Sequence, residues 1–278
     1  MTSMTKLTSN HFFPKIMGIL NTTPDSFSDG NNMSIEESVE KSIQMIENGA
    51  DIIDIGGEST RPGSKKVTLE EETKRVIPVL KELKRQHKAY VSVDTSKYEL
   101  AEIAIEEGAD MINDVSGAID PLMMKFIGKN NIPYICMHMQ GAPETMQKKP
   151  KYNNVNDEVI SYLKAKKEEL LSCGLSAKNL IWDPGIGFGK TLQHNLDILS
   201  SLTEYTDLNS VLLGVSRKSF ISKICGNAED PAKRMAGSLA PLAKAYDAKV
   251  EYIRVHDVYE TKQFLKTYSR ISYDSSRS

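Results

Sequence analysis

The chain is poor in the residues that announce several protein classes. It has three cysteines, Cys136, Cys173 and Cys225, in 278 residues. They are odd in number, far apart and without CxxC spacing. That argues against a disulfide framework or a zinc site, and it fits a reducing cytosol. No apolar run approaches the ~18 residues of a membrane span. Residues 1–14 lack the apolar core of a signal peptide and are expected as a flexible leader, with 271–278 as a tail. Charge of one sign is also lacking. Lys and Arg number 35 against 37 Asp and Glu, a formal net charge of −2. No basic field therefore invites nucleic acid. Mixed-sign runs at 81–85 and 164–169 read as solvated helix faces. Two glycine motifs are missing. Gly-x-Gly-x-x-Gly does not follow the first strand-like run, which argues against an open dinucleotide-binding sheet. In 183–191, Pro184 stands where a P-loop ending at Lys190 needs glycine, which argues against a nucleotide triphosphatase.

What is present is a regular alternation. Strand-like apolar runs occupy 16–20, 51–55, 90–93, 111–114, 133–137, 180–183, 211–215 and 250–255. Helical spacing fills 35–48, 69–86, 97–107, 121–129, 155–173, 193–202, 231–247 and 258–268. Continuous apolar strands separated by helices mean parallel strands buried on both faces. Eight such units at close to the ~250 residues typical of the class predict a single-domain (β/α)8 barrel over 15–270, with its active face at the C-terminal strand ends. An internal repeat agrees with a cyclic fold. Asn48-Gly-Ala-Asp-Ile-Ile-Asp54 matches Glu107-Gly-Ala-Asp-Met-Ile-Asn113, although shared turn chemistry would produce the same likeness.

The strands end in polar residues that a core has no use for: Asp94, Asn113, Asp183, Lys218 after 211–215, and Arg254 with His256. Two inward carboxylates and an amide suit the edge of a donor-rich flat heterocycle, because a carboxylate accepts two parallel N–H bonds. A divalent-metal cluster is the competing use, but its further ligands cannot be placed. Helix capping is the plainer reading of Asp94 and Asn113. Arg254 and His256 are two apart, so they share a face and suit an anion. His138 reads equally as a site residue or an ordinary polar rim residue.

Two loops add to this. Asn21-Thr-Thr-Pro-Asp-Ser-Phe-Ser-Asp-Gly30 carries Asp25, Phe27 and Asp29, as a mobile loop over a site would. Gly56-Gly-Glu-Ser-Thr-Arg-Pro-Gly63 carries Arg61, a fixed cation able to grip a carboxylate or phosphate. Asp183-Pro-Gly-Ile-Gly-Phe-Gly-Lys190 reads as a glycine-rich turn that lifts Asp183 into a pocket.

Together with Ser92-Val-Asp-Thr, Asn113-Asp-Val-Ser-Gly, Met137-His-Met-Gln-Gly, Ser216-Arg-Lys-Ser and Arg254-Val-His-Asp, these motifs resemble the dihydropteroate synthase family over roughly residues 15–268. Glu144 and Asn31 depart from its usual pattern. The resemblance implies condensation of 6-hydroxymethyl-7,8-dihydropterin diphosphate with 4-aminobenzoate in folate synthesis. It implies a pterin pocket of Asp94, Asn113, Asp183 and Lys218, with Arg254 lying against the ring and reaching the diphosphate, His256 and Asn21 holding the diphosphate, Asn21 through Mg2+, and Val255 among the substrate-binding residues. Thr60, Arg61, Pro62, Lys218 and Ser219 would form the aminobenzoate side, and Asp25, Phe27 and Asp29 the closing loop. Sulfonamides are the implied inhibitors. A cytoplasmic homodimer is expected, with Leu239, Leu242 and Ala243 compatible with an interface or with barrel packing. A pterin-dependent methyltransferase and a non-catalytic pterin-binding paralogue are the alternatives.

Overall fold

The computed structural model describes residues 12–23, 33–60, 64, 66–141, 145–226 and 230–275, of which 273–275 by backbone only. Eight parallel strands close into a barrel in chain order. They are β1 (Lys15–Asn21), β2 (Ile52–Gly56), β3 (Val91–Asp94), β4 (Met111–Asp114), β5 (Tyr134–Met137), β6 (Leu180–Asp183), β7 (Ser210–Gly214) and β8 (Tyr252–Val255). β8 returns to β1, with Tyr252 opposite Lys15. Around them lie α1 (Ile35–Glu47), α2 (Leu69–Gln86), α3 (Tyr98–Glu106), α4 (Pro121–Asn130), α5 (Val155–Ser172), α6 (Leu192–Ser200), α7 (Leu202–Thr206), α8 (Ser219–Cys225), α9 (Met235–Asp247) and α10 (Val258–Ser275). The expected (β/α)8 barrel is the fold found.

The differences are local. The stretch expected at 193–202 is two helices that meet at Ser201. Helix α8 was not anticipated, because seven residues show too little of a 3.6-residue period. The last helix runs on to Ser275. Leu242 is fully buried in the core and Leu239 packs against it, so their apolar surface serves the barrel.

The repeated heptapeptide has a structural cause. Gly49 and Gly108 take φ of +104° and +98°, which residues with a Cβ rarely adopt. The chain then re-enters the sheet identically. Asp51 N–H donates to Ile16 O and Asp110 N–H to Val91 O, each at 2.8 Å. The two carboxylates accept from the N–H groups of Ile16 at 2.8 Å and Val91 at 2.7 Å. Asp51 and Asp110 thus satisfy strand donors at the bottom rim, far from the active face.

Strand parity then decides what faces inward. Met17, Ile52, Met111, Ile135, Ile181, Leu212 and Tyr252 form one apolar cluster separate from the larger core of residues such as Ile53, Val93, Ile112, Trp182 and Val255. The smaller cluster plugs the barrel interior, and the larger fills the space under the helices. Two residues further along, on the same inward face, come Asp54, Asn113, Asp183 and Arg254. At two residues per pleat they sit roughly 6–7 Å above the plug.

Helices α4 and α5 meet closely at Gly128, where an added Cβ would lie 2.4 Å from the Cys173 carbonyl oxygen. Gly128→Ala should therefore cost about 1–3 kcal/mol in urea unfolding, while leaving the strand-tip pocket intact.

Candidate active site

One cavity of about 290 Å³ opens at the C-terminal strand ends. Asn21, Thr60, Asp94, Asn113, Asp183, Lys218, Ser219, Arg254 and His256 all line it. Val255, the remaining described site candidate, does not. Its parity is opposite to that of Arg254 and His256, so its side chain lies in the core under the helices. Asp25, Phe27, Asp29, Arg61 and Pro62 lie outside the described residues, as do Asn31 and Glu144.

The centre of the site is a buried ionic network. Arg254 Nε donates to Asp54 Oδ2 at 2.6 Å, and its Nη2 to Asp94 Oδ2 at 2.7 Å. Asn113 Nδ2 donates to the same Asp54 oxygen at 3.1 Å. Asp94 and Asn113 therefore do not cap the helices that follow them. Burial opposes the charge on Arg254, but Asp54 and Asp94 more than offset it and raise its pKa. Burial pushes the Asp94 carboxyl up to about 7, with Arg254 pulling down and Asp54, Glu72 and Asp114 adding to the rise. Asp94 is thus a weakly held carboxylate, sensitive to any cationic charge placed beside it.

Asp183 supplies the second acceptor. Its Oδ1 takes the N–H of Gly185 at 2.7 Å, and burial raises its pKa against Gly185, Lys218 and Lys190. Gly185 has φ +70°, and a Cβ there would lie 1.9 Å from the His138 carbonyl oxygen. The glycine-rich turn therefore folds back on β5 and aims Asp183 into the cavity. Lys218 Nζ sits 4.1 Å from the centre of the Phe188 ring. Burial lowers the Lys218 pKa to about 8, with Asp183 opposing. Phe188 clusters with Met137 and Met146, which make an apolar wall opposite the polar edge. A flat ring with polar edge groups fits such a slot.

The rim carries basic side chains. His256 Nδ1 lies 3.0 Å from Ser216 Oγ, which fixes the ring. Arg217 also lines the cavity, in a left-handed backbone conformation at φ +59°. Its guanidinium grips Asp257 at 2.5 and 3.1 Å, and its carbonyl accepts from Arg234 at 2.9 Å.

His138 is not a rim residue. It is 6% exposed and lies behind the glycine-rich turn. Its Nδ1 is 2.9 Å from Nζ of the buried Lys190, which also donates to Phe188 O at 3.0 Å. Several residues of the site and of the network behind it were not singled out from the sequence. Asp54 stood inside the noted repeat, in register with Asn113 of the second copy, and that correspondence could have found it. Phe188, Met137, Arg217 and Arg234 carried no separate signal.

The whole-chain comparisons agree with this site. Residues 17–256 match the model of the pterin binding enzyme family. The chain is 42% identical over 257 residues to the dihydropteroate synthase of Haemophilus influenzae, covering 92% of this chain and 93% of the relative. Its fold is similar to that of the Yersinia pestis dihydropteroate synthase solved with a sulfonamide drug complex. There the TM-score is 0.89, with 37% identity over 94% of both chains. It is also similar to the Xanthomonas albilineans dihydropteroate synthase solved with 4-aminobenzoic acid, with a TM-score of 0.87 and 39% identity over 93% of both chains.

The Lys190–His138 pair yields a prediction about stability. Burial lowers the Lys190 pKa to about 7 and, with Lys190 adding, lowers that of His138 to about 3. An unfolded lysine keeps its proton to near 10.5. Between those pH values the unfolded chain binds more protons, so this group's contribution to stability rises with pH across that window. Lys190→Met removes the rise. In urea unfolding, the stability of the variant relative to the parent should be higher near pH 6 than near pH 9.

Proposed function

We infer the reaction from family membership: this chain belongs to the dihydropteroate synthases. It joins 4-aminobenzoate to the diphosphate ester of 6-hydroxymethyl-7,8-dihydropterin, giving 7,8-dihydropteroate and diphosphate. The observation that carries the assignment to this site is the convergence of seven strand-tip residues on one cavity. Asn21, Asp94, Asn113, Asp183 and Lys218 come from five separate segments of the chain, and Arg254 and His256 together from a sixth.

On this reading the pterin lies in the slot between the polar edge and the Phe188–Met137 wall. Asp183 and Asn113 read its amino-pyrimidinone edge, and Lys218 donates to its carbonyl side. Arg254, already held by two carboxylates, offers its planar face to the ring and its charge to the diphosphate. His256 joins it at the rim. Thr60, Ser219 and the outer side of Lys218 face the arylamine, and Arg61 and Pro62 are assigned to the same substrate. Asp25, Phe27 and Asp29 belong to a loop that closes over both substrates and excludes water.

The chemistry follows from where charge develops. The carbon–oxygen bond to diphosphate is adjacent to an electron-rich ring, so it can break before the new bond is complete. Positive charge on the ring meets the Asp94 carboxylate, and negative charge on the departing group meets Arg254 and His256. The arylamine nitrogen attacks the carbon, the diphosphate leaves with the bonding pair, and the nitrogen sheds one proton. A weakly basic amine needs no strong general base for attack on a cation.

Mg2+ is proposed as the metal. Among the described residues no group of three or more His, Cys, Asp or Glu could hold an ion. The site offers instead the amide oxygen of Asn21 near the anion-binding rim. A single protein oxygen suits Mg2+, which keeps waters and binds through substrate phosphates. When bound, it would offset charge on the diphosphate.

Among the described residues no helix is long and apolar enough to cross a membrane. We assign the protein to the cytosol, supported by three free cysteines. A homodimer through the last helices is supported by Ile224, Tyr259 and Ile271, each more than half exposed.

Incubation with the pterin diphosphate, 4-aminobenzoate and Mg2+ should release diphosphate only when the arylamine is present. Arylamine-independent release, or none, would refute the assignment. A sulfonamide should inhibit competitively with 4-aminobenzoate. Asp94→Asn should lower kcat by about 10²–10³-fold and weaken binding of the pterin diphosphate far less. Equal losses in both would count against the role given to Asp94.

A further inference from the structure

We propose that Lys97 is a positioning residue that masks the carboxylate of Glu58, and that the pair sets the selectivity of the site for an anionic arylamine. The proposal rests on the assignment above, in which the loop after β2 faces 4-aminobenzoate.

Glu58, Ser59 and Thr60 form one wall of the cavity. A carboxylate in that wall is out of place beside a substrate that carries its own carboxylate. At an effective dielectric constant of about 20, two such charges ~8 Å apart would weaken binding by roughly 30-fold before salt screening. The geometry shows how that repulsion is avoided. Lys97 Nζ bonds Glu58 Oε2 and also Glu72 Oε2. Glu72 is on α2 with its side chain only 1% exposed, so Lys97 is drawn inward between two carboxylates. Burial works against the charge on Lys97, and Glu58 and Glu72 more than offset it. The backbone N–H of Lys97 donates to Thr95 Oγ1 at 3.1 Å, next to Asp94. Lys97 therefore ties the β2 loop to α2 and to the tip of β3.

The described residues of the loop are held by further bonds. The Gly56 carbonyl accepts from the Thr22 N–H at 2.9 Å and its hydroxyl at 3.1 Å. The Gly57 carbonyl accepts from Arg75 Nη1 at 2.9 Å, and the Ser59 carbonyl from the Ser64 hydroxyl. Gly57 is pressed onto α2, where a Cβ would lie 2.8 Å from Val76. Glu58 thus cannot turn out of the wall by moving the loop. Its charge has to be offset where it stands, and Lys97, shared with Glu72, is placed to offset part of it.

The test compares two acceptors at saturating pterin diphosphate: 4-aminobenzoate, an anion, and 4-aminobenzamide, its neutral isostere. The readout is the ratio of their kcat/KM values. Lys97→Met unmasks Glu58, so preference for the anion should fall by about tenfold. Glu58→Gln removes the negative charge and leaves the Lys97–Glu72 pair intact, so preference for the anion should rise by about threefold. That second variant keeps its buried pair and reads the idea even where Lys97→Met does not fold. A ratio unmoved in Glu58→Gln, or moved in the same direction in both variants, overturns the proposal. A merely structural role for the pair would depress both acceptors alike. Failure of the unaltered protein to use either arylamine would overturn the synthase assignment and this inference with it. A working synthase with an unmoved ratio would overturn this inference alone.

Discussion

The structure depends on one part-buried cation. Arg254 puts a guanidinium inside the top of the barrel, where losing one of its carboxylate partners would cost about 3–5 kcal/mol. Asp54 from β2 and Asp94 from β3 meet that demand, and Asn113 from β4 bonds the same Asp54 oxygen. Four of the eight strands are thereby joined through side chains as well as through the sheet. Such a network is a costly way to fill a barrel. Its cost is tolerated because two apolar clusters, one inside the barrel and one under the helices, carry the stability. What the network supplies is order: the groups that would meet a substrate are already oriented before one arrives.

That order explains why the remaining groups behave as they do. Asp94 and Asp183 are both pushed upward by burial, and Lys218 is pushed down toward about 8. Each holds its charge weakly in the resting site, and each would hold it more firmly beside a group of opposite sign. A heterocycle that donates N–H bonds to the carboxylates and accepts one from the lysine strengthens all three charges at once. The apolar wall of Phe188 and Met137 adds shape to this electrical match, because it admits a flat ring edge-on and excludes bulk water.

The fold was largely legible in the sequence, since buried parallel strands are continuous apolar runs and glycine stops such as Gly49 and Gly108 mark the turns between helix and strand. The polar strand tips were legible for the same reason, because a charge at the end of an apolar run stands out. Legibility failed where that contrast was absent. Asp54 is followed by Ile55 and Gly56, so it reads as a strand interior and not as a tip. Phe188 and Met137 are apolar and pass for core. Val255 looked like part of the site because it sits between Arg254 and His256, yet the two-residue pleat turns it away. His138 and Lys190 are 52 residues apart in sequence, and only the back-folded glycine turn brings them together. The short α8 follows a strand tip too closely for any helical period to develop.

The placement of charge along the barrel axis bears on catalysis. Asp94 and Asp183 belong to strands and lie in the depth of the cavity, and Asp54 of β2 is bonded to the lining residues Arg254 and Asn113. Lys218, Arg217, Arg234 and His256 follow the strands and stand nearer the rim. The pocket therefore has carboxylates below and basic side chains above, with Arg254 linking the two levels. A substrate with its ring in the depth and its diphosphate at the rim lies along that polarity. Breaking the carbon–oxygen bond then moves negative charge toward the positive end and leaves positive charge at the negative end. Both movements run with the field, and the field is built from groups fixed by burial and hydrogen bonds, so little reorganisation is needed at the moment of reaction. The same polarity restricts the second substrate. An arylamine carboxylate entering from the rim is drawn by Lys218 and Ser219, but it must pass Glu58. A negative wall there would oppose the gradient that the rest of the site creates, which is why a carboxylate at that position needs a lysine bound to it.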